Sequence, residues 1–83
     1  MIGYARTTII GRVREVQWAT DYGMAQVVVP LKRRESVVYR VLFTGKDAQL
    51  KIKPGAPIFI EGSMIMDEGP AYLRAFKWRV VNV

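Results

Sequence analysis

The sequence predicts an all-β protein, a single small barrel of five short strands with little or no helix. Three observations lead there. Apolar residues recur with a two-residue period in separate stretches, most clearly Val37, Tyr39, Val41, Phe43 and then Ile58, Ile60, Gly62, Met64. Turn-forming clusters stand between the stretches: Asp21-Tyr22-Gly23, Lys53-Pro54-Gly55 and Asp67-Glu68-Gly69-Pro70. The chain has 83 residues, the length of one domain spanning residues 1–83, with no internal repeat, low-complexity stretch or linker.

The first strand is expected from about Thr7 to Trp18, with Ile9, Gly11 and Val13 on one side and Thr8, Ile10, Arg12 and Arg14 on the other. Gly11, inside that strand, marks a bend or bulge at a barrel corner. Asp21-Tyr22-Gly23 makes the turn into a second strand, Met24 to about Arg33, where Ala25, Val27, Val29 and Leu31 alternate with Gln26, Val28, Pro30 and Lys32. Pro30 has no N–H to give a ladder, so the strand is at an edge or bulged there. Lys32 to Ser36 forms a hairpin loop, and the third strand runs on to Thr44, turning Val38, Arg40, Leu42 and Thr44 away from the core. Lys46 to Gly55 leaves room for about one helical turn before Pro54. The fourth strand carries Ile58 to Met64. The fifth, Ala71 to Val83, sets Tyr72, Arg74, Phe76, Trp78 and Val80 against Leu73, Ala75, Lys77, Arg79, Val81 and Val83. Five short strands with small turns and one mid-chain connector fit the five-stranded Greek-key OB-fold barrel.

Composition narrows the function. Net charge is +6, from 13 Lys+Arg against 7 Asp+Glu, which favours a polyanionic partner, usually nucleic acid. The chain has no cysteine and no histidine, so disulfides, thiolate chemistry, the common zinc ligands and the most frequent general base are absent. No Ser-His-Asp arrangement, P-loop or paired-carboxylate motif is present either. The expectation is a protein that is not an enzyme and uses no cofactor and no metal. Asp67 and Glu68 form a solvated hairpin tip, and Glu61 is expected to pair across strands with a basic neighbour. No run approaches the ~20 apolar residues of a membrane span, and Met1 to Arg6 lacks the apolar region of a signal peptide, so a cytoplasmic protein is expected. A chain this short buries a modest share of its surface, so a homo-oligomer, dimer or tetramer, is the natural expectation.

Single strands of nucleic acid are held by a cationic groove that follows phosphates and by flat side chains that stack on bases. The outward phases supply Arg12 and Arg14 on the first strand, Lys32, Arg33 and Arg34 at the hairpin, and Arg40 on the third strand. Trp18 and Tyr22, near the first turn, are candidate stacking rings. Tyr72, Phe76 and Trp78 form a stripe with Arg74 that serves either as a stacking platform or as barrel core, whereas Tyr39 and Phe43 have the core phase. The candidate binding residues are thus Arg12, Arg14, Trp18, Lys32, Arg33, Arg34, Arg40, Arg74 and Trp78.

Three stretches carry a resemblance: Tyr39 to Lys46 (YRVLFTGK), Lys53 to Met64 (KPGAPIFIEGSM) and, more loosely, Thr8 to Val13 (TIIGRV). They resemble, in order and over most of the chain, three strands of the bacterial single-stranded DNA-binding proteins and their relatives. These are the family's aromatic/His-Arg-Val-x-x-x-Gly-Lys strand, its Lys-Gly-x-x-Val/Ile-x-Ile-Glu-Gly strand and its opening strand with a central Gly. The resemblance implies an OB-fold that binds single-stranded DNA with little sequence preference in replication, restart, recombination or repair. It also places Arg40 on a strand arginine that commonly faces DNA. The family's stacking positions, two residues before that arginine and four after it, fall on Val38 and Thr44, which offer no ring. The connector after the third strand is shorter than the family's usual helix, as in a minimal or PriB-like variant. Val81-Asn82-Val83 shows neither a Gly/Pro-rich spacer nor an acidic tip, so the family's role of recruiting other proteins is not expected. Two other functions stay open: a protein-interaction OB domain, such as a primosome-like adaptor or structural subunit, and an RNA-binding OB domain, since nothing in the sequence senses a 2′-hydroxyl.

Overall fold

A computed structural model describes residues 4–66 and 68–81, without the side chains of Tyr4 and Ala5. Asp67 of the expected hairpin tip, and Asn82 and Val83 of the expected fifth strand, lie outside the described residues. Five strands, β1 (Tyr4–Trp18), β2 (Tyr22–Pro30), β3 (Ser36–Thr44), β4 (Pro57–Ile65) and β5 (Tyr72–Val80), close into one barrel in the order β1-β2-β3-β5-β4. All neighbours are antiparallel except β3 and β5. A six-residue helix, α1 (Lys46–Lys51), is the mid-chain connector. This is the Greek-key OB-fold barrel expected from the strand pattern.

The two-residue period places the core directly. Ile9, Val13, Ala25, Val27, Val41, Phe43, Ile58, Ile60 and Leu73 point inward and are buried, and Ala48 and Ile52, in and just after α1, join them. Phe43 is fully buried, so its truncation to Ala is expected to cost about 3–5 kcal/mol. β1 serves two partners, β4 through Arg12 and β2 from Arg12 onward.

Two of the strands depart from simple alternation. In β1 the register slips between Val13 and Glu15, so the bulge is at Arg14 and not at Gly11. Gly11 is required for a different reason, since a Cβ there would overlap the Val28 carbonyl; the glycine lets β2 approach. Beyond the bulge the phase reverses and Val16 and Trp18 pack on the core. In β5 the register slips where Glu61 faces Lys77 and Gly62 faces Ala75, leaving Phe76 as the extra residue. The expected single stripe of Tyr72, Arg74, Phe76, Trp78 and Val80 is therefore broken. Trp78 and Val80 pack on the core together with Ala75, while Phe76 is exposed.

Both ends of β2 also differ from expectation. The chain turns at Ala19–Asp21, where the Ala19 N–H donates to the Tyr22 carbonyl at 2.7 Å, so Tyr22 and Gly23 belong to the strand. At the other end β2 stops at Pro30, opposite Ser36, and not at Arg33. Pro30 thus takes the last paired position, where a missing donor costs least. Lys32–Arg34 form a 3₁₀ turn in which Arg33 and Arg34 hold φ of 61° and 66°.

Candidate nucleic-acid interface

The ladder registers bring separated cations onto one outer wall. Arg12 lies opposite Val28, and Val28 opposite Val38; Glu15 lies opposite Gln26, and Gln26 opposite Arg40. Arg12, Arg14 and Arg40 therefore surround Gln26 and Val28, and all three are exposed. One row further, Met24 faces Leu42, and Leu42 faces Arg74 across the parallel β3–β5 contact. Lys32, Arg33 and Arg34 sit exposed at the far tip of the β2–β3 hairpin. The nine residues of β2 give this wall a length of about 30 Å at ~3.4 Å per residue.

The wall is cationic without being uniform. Glu15 and Glu35 stand on it or at its tip, while Arg14, Arg40 and Arg74 make no ion pair among the described residues. Arg12 donates to the Gly55 carbonyl, which anchors its guanidinium beside the turn into β4. Of the sequence candidates, the register gathers Arg12, Arg14, Arg40 and Arg74. The hairpin cations extend the same wall.

The two tryptophans behave differently from the arginines. Trp18 is half-buried against the core, and Trp78 meets Phe43 edge-on, with centroids 6.3 Å apart and planes at 88°. Neither ring stands free on the outer wall. The exposed aromatic rings among the described residues are Tyr22, at 51%, and Phe76, at 56%. Tyr22 has the outward phase of β2 and faces Thr44, and Thr44 lines two clefts together with Phe76. A sequence reading cannot separate Phe76 from Trp78 without the bulge. Its one local sign is Gly62, where a Cβ would overlap the Arg74 carbonyl.

Glu61 forms the expected cross-strand pair: Arg6 Nη2 donates to Glu61 Oε2 at 3.0 Å. The Arg6 guanidinium also lies over the Phe76 ring, 5.4 Å from its centroid. No helix among the described residues is long and apolar enough to cross a membrane. No family model matches the chain, and no curated protein matches it. The class the fold defines is an OB-type barrel, here with a basic outer wall.

Proposed function

We propose that this chain is a non-enzymatic OB-fold protein of the single-stranded DNA-binding kind, cytoplasmic, binding single-stranded DNA with little sequence preference in replication, restart, recombination or repair. The observation that supports it most is the gathering of Arg12, Arg14 and Arg40 around Gln26 and Val28 on a wall that continues to Arg74. Guanidinium groups spaced along a wall neutralise successive phosphates and release counterions, a sequence-independent source of affinity. The resemblance of Tyr39–Lys46 to the family's DNA-facing strand points the same way. A homo-oligomer belongs to this proposal. β3 pairs with β2 along its whole length but with β5 only at Val41 and Leu42, so among the described residues Ser36–Arg40 have one strand edge without a partner. A second copy pairing along that edge would satisfy it.

The test is a fluorescence titration with poly-dT, poly-U and duplex DNA at several salt concentrations. Tight, salt-sensitive binding of poly-dT over duplex supports the proposal. Preference for poly-U supports an RNA-binding OB domain. Binding to none of them favours the protein-interaction reading, for which the specific observation is an apolar groove lined by Ile10, Val28 and Pro30 and rimmed by Arg12 and Arg14.

A further inference from the structure

The geometry points to a nucleobase-stacking subsite at the β5 bulge, in which Phe76 takes one base and Arg74 and Lys77 take the flanking phosphates. This rests on the single-strand-binding reading above and extends it from the wall's arginines to an exposed ring on β5, the strand at which that wall ends.

Phe76 is the extra residue of the bulge, so it projects from β5 when its neighbours Ala75 and Trp78 turn inward. It does so where the barrel wall opens. Among the described residues β3 and β5 are paired only at Val41–Leu73 and Leu42–Arg74. Two adjoining clefts, of about 700 and 520 Å³, share Thr44, Phe76 and Trp78. Each volume falls in the range of about 300–1,000 Å³ that accommodates small ligands. The first cleft adds Lys51, Lys77 and Arg79, and the second adds Arg74. Among the described residues the one carboxylate lining either cleft, Asp47, is paired with Lys51 at 3.3 Å. The balance is positive, which selects an anionic ligand, and the exposed ring at the junction selects one with a π-face.

A second feature marks the ring. Arg6, paired with Glu61 at 3.0 Å, lies over Phe76 at 5.4 Å, so a cation from β1 meets the ring, which at 56% exposure still offers surface to a base. Tyr22, the other exposed ring among the described residues, is separated from the β5 position by β3. Tyr22 faces Thr44, and Thr44 lines both clefts with Phe76, so a single strand following the β2–β3 wall meets Tyr22 and then Phe76 as it leaves across the end of β3.

The experiment compares wild type, Phe76→Ala, Phe76→Leu and Phe76→Trp by fluorescence anisotropy, using a thymidine oligonucleotide of about 12 residues, within the site size of one OB barrel, and an abasic oligonucleotide of equal length. Both Ala and Leu variants are expected to lose about 5- to 150-fold in affinity for the thymidine strand. Phe76→Trp retains affinity, and binding to the abasic strand is unchanged in every variant. Leu keeps the apolar bulk without the ring, so a folded Leu variant that binds as wild type overturns the inference, as does an equal loss on the abasic strand. If wild type binds neither oligonucleotide, the function proposed above fails and takes this subsite with it. If wild type binds and Phe76→Ala is neutral, only the subsite fails.

Discussion

The indole of Trp18 covers Gly23, its partner across the β1–β2 ladder. A Cβ at position 23 would overlap the six-membered ring, so the two residues are a matched pair: the glycine makes room and the ring fills it. The bulge at Arg14 creates this relationship, because it reverses the phase of β1 and brings Trp18 toward the core.

Gly23→Ala should therefore displace the indole and destabilise the fold by about 1–3 kcal/mol, the usual cost of overpacking. The urea midpoint measures the loss, and the tryptophan emission should shift toward that of a solvated ring. Because Trp18 packs inward, Trp18→Ala should lower stability more than it lowers oligonucleotide affinity. An unchanged midpoint together with an unchanged emission spectrum would show that the ring does not rest on the glycine.

The contact between Phe43 and Trp78 gives a second prediction. Phe43 is fully buried and Trp78 half-buried, so Trp78→Ala should cost about 3 kcal/mol, at the lower end of the range for large truncations. The double-mutant cycle of Phe43→Leu with Trp78→Leu, followed by urea denaturation, should return a coupling of about 0.5–1.5 kcal/mol for an edge-on ring pair. Strict additivity would mean that the rings stabilise the barrel only by the area they bury.

The second half of β3 and the start of β4 are legible in the sequence because neither carries a bulge there: Val41 and Phe43, and Ile58 and Ile60, are buried as their spacing requires, whereas Val37, in the same phase of β3 but outside its pairing with β5, is exposed. β1 and β5 are legible only up to Arg14 and Phe76. A bulge inserts one residue in response to the partner strand, and the local pattern of a single strand does not contain that partner. Trp78 and Phe76, two residues apart, therefore share a face in the sequence and separate in the fold. The outward arginines are legible one at a time, since each needs only its own strand's phase. Their gathering is not, because it depends on the registers that set Arg12 against Val28 and Arg40 against Gln26. The Arg6–Phe76 contact joins β1 to β5 through no local signal at all.

The unpartnered edge of Ser36–Arg40 predicts the basis of oligomerisation. Val37 and Val38 are both exposed on it, and charge on an edge strand is an effective block to strand addition. Val37→Lys with Val38→Lys should convert an oligomer into a monomer in sedimentation without lowering the thermal midpoint of the barrel itself. A wild-type chain that sediments as a monomer at micromolar concentration would count against pairing along this edge. An oligomer that survives both lysines would place the interface elsewhere, with the groove of Ile10, Val28 and Pro30 next to be tested.

The salt dependence of binding tests the cationic wall as a whole. If Arg12, Arg14, Arg40 and Arg74 each neutralise a phosphate, log affinity for a single strand should fall with log salt concentration at a slope near −3, taking ~0.7 per phosphate. Arg14 and Arg40 are the cleaner pair to remove, since Arg12 also bonds the Gly55 carbonyl and its loss would disturb the turn before β4. Arg14→Ala with Arg40→Ala should reduce the slope to about −1.5, because two of four neutralised phosphates are lost. The thermal midpoint should stay within the small range of exposed substitutions, as both side chains are exposed and make no ion pair among the described residues. The slope separates this outcome from a general weakening, in which affinity falls while the counterion release per complex is preserved. A double variant that binds more weakly with its slope still near −3 would show that these arginines shape the wall without touching phosphate. A wild-type affinity that does not change with salt would remove the wall from the account of binding altogether.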